Sequence, residues 1–263
     1  MNTSNEGDLV TDTGYSWQRL LILDWARGVA IVAMVLYHAT LDLGPFLFDL
    51  IAINAAEDQP LVFAARLIAG SFLFIVGVSL VLAHQRSFRL RAFLRRLAVL
   101  VAAALLVTSA TRLAQPETFV RFGILHAIAA ASIIGVLFLR APIWLLVIAA
   151  AAAFLAPVML SDPAFNRSAW IWLGLSTSEP AMMDYVPILP WLAPTLLGMA
   201  FVKTVLWFGW EQQLAKWQPR TIVSRSLIIA GRWSLPIYLV HQPILIGIIY
   251  LIALALGRSP PLF

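Results

Sequence analysis

The chain has 263 residues, of which 61% are hydrophobic and 12% charged, where a soluble domain carries about 25% charged residues. That excess excludes a water-soluble globule. At roughly 20 apolar residues per crossing of a ~30 Å hydrocarbon layer, the length accommodates about seven spans and leaves no room for a large catalytic domain outside the bilayer. The absence of cysteine excludes disulfides, thiolate catalysis and cysteine-ligated metal sites. A net charge of +5 needs no nucleic-acid explanation.

Apolar runs bounded by charges and prolines predict spans at Leu21–Leu43, Leu61–Ala83, Leu97–Thr111, Phe122–Leu139, Pro142–Leu160, Val186–Leu206 and Trp233–Leu256. The third is the shortest. Before the first lies a polar, acidic stretch, Met1–Gln18, with neither the basic start nor the cleavage signal of a secretory leader. We therefore expect a cytoplasmic tail over residues 1–18 and a single transmembrane domain over 19–263. Arg19, the loop with Arg86, Arg89, Arg91, Arg95 and Arg96, the turn at Arg140 and the stretch Lys203–Arg232 carry twelve Lys and Arg residues on one side. The other side carries four: Arg112, Arg121, Arg167 and Arg258. The positive-inside rule then predicts a cytoplasmic N-terminus and, with seven spans, a C-terminus outside. The expected fold class is all-α, a polytopic membrane helix bundle.

A charge inside the hydrocarbon costs several kcal/mol unless it is paired or faces a wet cavity, so polar residues within spans carry the functional information. In the first span Asp24, Arg27, His38 and Asp42 fall within a stripe about 60° wide at 100° per residue. Asp24 and Arg27 also suit a simple ion pair at the boundary. Arg66 in the second span and His126 in the fourth lie near the outer end, level with His38 and Asp42, so an outer cluster is expected. His126 equally suits a hydrogen-bonded packing role, and Arg66 an interfacial anchor. Ser234, Tyr238 and His241 recur at helical spacing in the last span, followed by Gln242 and Pro243. Gly70, Gly77 and Gly198 read as close helix contacts. No metal site is expected.

A histidine near neutral pKa beside a carboxylate suits general-base chemistry, and the same stripe suits a proton relay. The residues alone thus leave an enzyme and a proton-coupled transporter or lipid-handling protein both open.

The segment LDWARGVAIVAMVLYHATLDL, from Leu23 to Leu43, resembles the opening helix of the bacterial relatives of the heparan-α-glucosaminide N-acetyltransferase catalytic domain. FLFIVGVSLVLAH from Phe72, VRFGILHAIAAASI from Val120, PILPWLAPTLLGMA from Pro187 and GRWSLPIYLVHQPIL from Gly231 are similar to the same family. The resemblance implies an acyltransferase of the bacterial cytoplasmic (inner) membrane. Its donor would be acetyl-CoA or another acyl-CoA from the cytoplasm, and its acceptor a sugar hydroxyl or amine of a glycan or glycolipid on the far side. Asp24, Arg27 and His38 match the first-helix motif, Arg121 and His126 the fourth, and Ser234, His241 and Gln242 the last. One departure is visible: the loop Gly44–Pro60 holds no histidine, where the lysosomal branch carries one. Within this frame His38 is the expected base and Asp42 its orienter. Arg66 or His126 would steady developing charge, while Arg27, Arg232 and the loop arginines would meet the CoA phosphates. Membrane lipids are the expected surroundings, and a homodimer would complete the cavity.

Overall fold

A computed structural model of the protein describes residues 20–48, 58–85 and 87–256. The tail 1–18, Arg86, Arg258 and most of the loop 44–60 lie outside those residues. Nine α-helices form among them: α1 (Leu21–Phe48), α2 (Gln59–His84), α3 (Leu90–Ala114), α4 (Ile124–Leu137), α5 (Ile143–Leu160), α6 (Ile188–Trp207), α7 (Glu211–Ala215), α8 (Ile222–Arg232) and α9 (Ser234–Ala255). No strand occurs among the described residues. Six of the helices are long and apolar enough to cross a membrane, and α4 is a shorter apolar helix.

Every expected span corresponds to a helix; the first runs on to Phe48 instead of ending at Leu43, and two others also differ in extent. The third, predicted from Leu97, begins at Leu90 and runs 25 residues. Arg91, Arg95 and Arg96 interrupt the apolar run in sequence, yet within the helix they turn toward a cavity rather than lipid. The fourth is the short one, at 14 residues, or about 21 Å at 1.5 Å per residue. Its first turn is buried in the protein, with Ile124 9% and Leu125 5% exposed. Thr108 of α3, two turns before that helix ends, donates to the Val120 carbonyl, and Val120 itself is buried. Backbone donors at such depth need partners from the protein. Asp184 accepts from the Ile124 N–H at 2.9 Å, and His126 Nδ1 accepts from the Gly123 N–H at 3.3 Å.

The core centres on α6, which packs along α2 and α5. Leu73 meets Thr195, Phe74 meets Gly198 and Gly77 meets Met199, so later residues of α2 face later residues of α6 and the two helices run parallel. A Cβ on Gly77 or Gly198 would overlap the carbonyl of Thr195 or Phe74, so these glycines permit the close approach. Gly70 does not share it, its nearest foreign atom lying 3.9 Å from a built Cβ.

The stretch Lys203–Arg232 is more than the connection read from sequence. Within it α8, capped by Thr221 accepting from the Ser224 N–H at 3.1 Å, lies antiparallel along the first half of α1. Gly231 abuts Asp24 and Gly28 abuts Leu227, backbone against backbone.

Candidate functional site

One cavity of about 2260 Å³ is lined by Arg91 and Arg95 at the start of α3 and by Ala114 and Gln115 at its end. It therefore follows α3 for its whole length, about 36 Å. Arg27, Ser79, Arg96 and Arg232 line it at the arginine-rich end; Arg66, Thr111, Glu179 and Asp184 line it at the other. Between them the walls are largely apolar, with Ile31, Met34, Phe72, Ile75, Leu100 and Ile128.

At the arginine-rich end Asp24 is 1% exposed and binds two guanidinium groups. Its Oδ1 meets Arg27 Nη1 at 3.2 Å and its Oδ2 meets Arg232 Nε at 3.3 Å. Arg27 also donates to Ser79 Oγ at 2.5 Å. A buried carboxylate flanked by two arginines satisfies the requirement for pairing, and it fixes both cations at the cavity wall. The sequence-level ion pair of Asp24 with Arg27 is thus present, with Arg232 added from 208 residues away.

Along the cavity, His38 and His241 approach to 5.0 Å between ring centroids, tilted by 53°. His241 is 9% exposed. Its Nδ1 lies 2.6 Å from the Tyr238 carbonyl oxygen. Asp42 accepts from Gln242 Nε2 at 2.8 Å. Among the described residues no hydrogen bond joins Asp42 to His38, so Asp42 is held by Gln242 and does not orient His38. The i, i+4 spacing puts both on one side of α1, but Asp42 turns toward α9. Ser234 and Tyr238 also line the cavity.

Three expected site residues sit elsewhere or differently. Arg121 is exposed, stands 5.1 Å over the Phe119 ring and does not line the cavity. His126 does not line it either; besides the Gly123 contact, its Nε2 lies 3.4 Å from Thr108 Oγ1. The second histidine beside His38 is therefore His241, while His126 caps α4. His126→Ala should leave catalysis intact and lower stability by about 1 kcal/mol, as loss of a helix cap does; thermal unfolding and turnover of the variant check both. Arg66 does line the cavity but is exposed, as an interfacial residue would be.

Asp184 is not among the residues that the sequence singles out. In the fold it joins three elements, because Tyr238 Oη donates to Oδ2 at 3.5 Å from α9 while the Ile124 N–H donates from α4. Burial raises its carboxyl above the ordinary aspartate range, against the lowering effect of those two donors. A carboxyl raised by folding favours the fold most while protonated, and this contribution is lost as pH rises through the raised value. Asp184→Asn cannot ionise, so it should flatten the loss of thermal stability over that rise. Parallel melting profiles for wild type and variant would contradict the assignment.

A bundle of membrane-length helices around an elongated cavity is the architecture of an integral membrane protein. The chain matches the family described as heparan-alpha-glucosaminide N-acetyltransferase, catalytic, over residues 19–243, and it belongs to that family. No curated protein and no solved structure matches it. Membership makes it a member of a membrane acetyltransferase family. The match takes in every cavity-lining residue named above from α1 to Pro243 of α9.

Proposed function

We propose that the protein transfers an acetyl group from cytoplasmic acetyl-CoA to a hydroxyl or amine of a glycan or glycolipid on the far side of the bacterial inner membrane. One observation carries the reading: in a chain of this family, a single cavity joins an arginine-lined mouth to a histidine pair in the bundle interior. The arginine-rich end is the cytoplasmic one by the positive-inside rule.

Arg27 and Arg232, fixed by Asp24, and Arg91, Arg95 and Arg96 offer donors to the phosphates of CoA; guanidinium groups suit that geometry. From Arg27 to His38 the helical rise is about 16 Å, a distance that the extended pantetheine arm bridges. The apolar walls between suit an uncharged arm and exclude bulk water from the thioester. At the histidine pair an imidazole takes the proton from the acceptor O–H or N–H as the oxygen or nitrogen attacks the thioester carbonyl. The C–S bond breaks, and the proton passes to the leaving sulfur to give free CoA. The acceptor enters from the opposite end, past Arg66 and Glu179. The family's description points to an amine on a glucosaminide as the acceptor.

Purified protein with acetyl-CoA at about 100 times its Kd should gain about 2.7 kcal/mol of stability. Free CoA should stabilise it as well, since the phosphates are shared. Absence of any thermal shift, together with proton-gradient-driven uptake that ignores CoA, would assign the passage to transport instead.

A further inference from the structure

Two acceptor atoms at the heart of the cavity have no partner among the described residues: Nε2 of His241 and Oε1 of Gln242. The state of each follows from its neighbour. A carbonyl oxygen only accepts, so the 2.6 Å contact with Tyr238 places the hydrogen of the neutral His241 ring on Nδ1 and leaves the lone pair on Nε2. Gln242 donates through Nε2 to Asp42, which leaves its Oε1 free to accept. These neighbouring cavity-lining residues thus carry one buried, unsatisfied lone-pair atom each, and an unsatisfied buried acceptor costs about 1–3 kcal/mol. Two unsatisfied acceptors on neighbouring residues call for a ligand that brings hydrogens. The thioester brings none at its reacting end, whereas an acceptor amine or hydroxyl does.

We propose that His241 Nε2 and Gln242 Oε1 form the acceptor subsite, which binds an N–H- or O–H-bearing nucleophile, and that His241 is the catalytic base. This rests on the acetyltransferase reading. His241 Nε2 takes the proton from the nucleophile as the new C–O or C–N bond forms, and the proton returns to the thiolate sulfur when the C–S bond breaks. The Asp42 carboxylate lies within electrostatic reach of His241 and stabilises the transient imidazolium; Gln242 holds that carboxylate in place. In this arrangement Asp42 is a positioning residue for His241, not for His38. His38 forms the facing wall, its ring 5.0 Å away.

The test uses the full-length protein in proteoliposomes with acetyl-CoA as donor and glucosamine as acceptor probe. His241→Gln should bind acetyl-CoA as wild type does, by thermal shift, while kcat falls by about 10²–10⁴-fold, the contribution of a general base. His241→Ala should regain part of its rate with added imidazole, which a purely structural role would not allow. Wild-type turnover in His241→Gln, or a His241→Ala rate that added imidazole leaves unchanged, would overturn the proposal and leave the acetyltransferase reading standing. Failure of wild type to bind acetyl-CoA at all would instead remove that reading.

Discussion

Gly28→Ala should unseat α8 from α1 and destabilise the protein by more than about 3 kcal/mol. A Cβ there overlaps the Leu227 carbonyl oxygen, and the obstacle is backbone, so no side-chain rotation relieves it. Separating the helices also pulls Arg232 from Asp24, a carboxylate that is 1% exposed. Breaking a buried ion pair by removal of a partner costs about 3–5 kcal/mol. Gly231→Ala should behave alike, because its Cβ would overlap the Asp24 carbonyl oxygen. Gly247→Ala is the control: nothing lies within 4 Å of a Cβ there, so helix propensity alone predicts no loss. Thermal unfolding in detergent separates the three, and a Gly28→Ala melt equal to that of Gly247→Ala would contradict the close α1–α8 contact.

The second large effect concerns the donor mouth. Arg95 and Arg96 are exposed and line the cavity, so their replacement by glutamine removes charge without opening the core. Hydrogen bonds to charged groups contribute about 1.5–3 kcal/mol each, so Arg95→Gln/Arg96→Gln should raise the Kd for acetyl-CoA by at least about 100-fold. The wild-type affinity should fall with added salt, and that slope should flatten in the variant. Isothermal titration at two salt concentrations measures both. An unchanged Kd would place the phosphates elsewhere.

How much of this was legible in the sequence differs by element. Apolar runs locate the spans because burial in lipid acts on composition, residue by residue. The start of α3 was misjudged because arginines ended the run, and only the fold shows that an internal passage takes them in. The length of α4 was overestimated because its N-terminus depends on caps from Asp184 and His126, and Asp184 is 60 residues away. The helix α8 escaped notice: it has 11 residues, too few to register as a span, and polar residues break its apolar run. Gly28 and Gly231 were the available signal, since two glycines in helical segments near the same membrane face suggest close backbone contact.

The site was legible in kind and less so in pairing. Periodicity placed Asp24, Arg27, His38 and Asp42 on one side of α1, and all but the buried Asp24 line the cavity. Spacing along one helix says nothing about which residue of another helix arrives opposite. Hence Asp42 was assigned to His38, its neighbour in sequence, when its bond goes to Gln242. For the same reason His126 stood in for His241: similar depth was readable, and the facing direction was not.

The passage from the arginines to the histidines can be probed at its centre. The chain has no cysteine, so His38→Cys supplies a single thiol on the cavity wall. Its rate of modification by a charged, membrane-impermeant thiol reagent is measured in sealed vesicles, with and without acetyl-CoA on the arginine-rich face. A water-accessible passage shared with the donor predicts labelling, and slower labelling when acetyl-CoA is bound. A thiol that stays unlabelled from both faces, or labels at one rate whatever the donor, would contradict it.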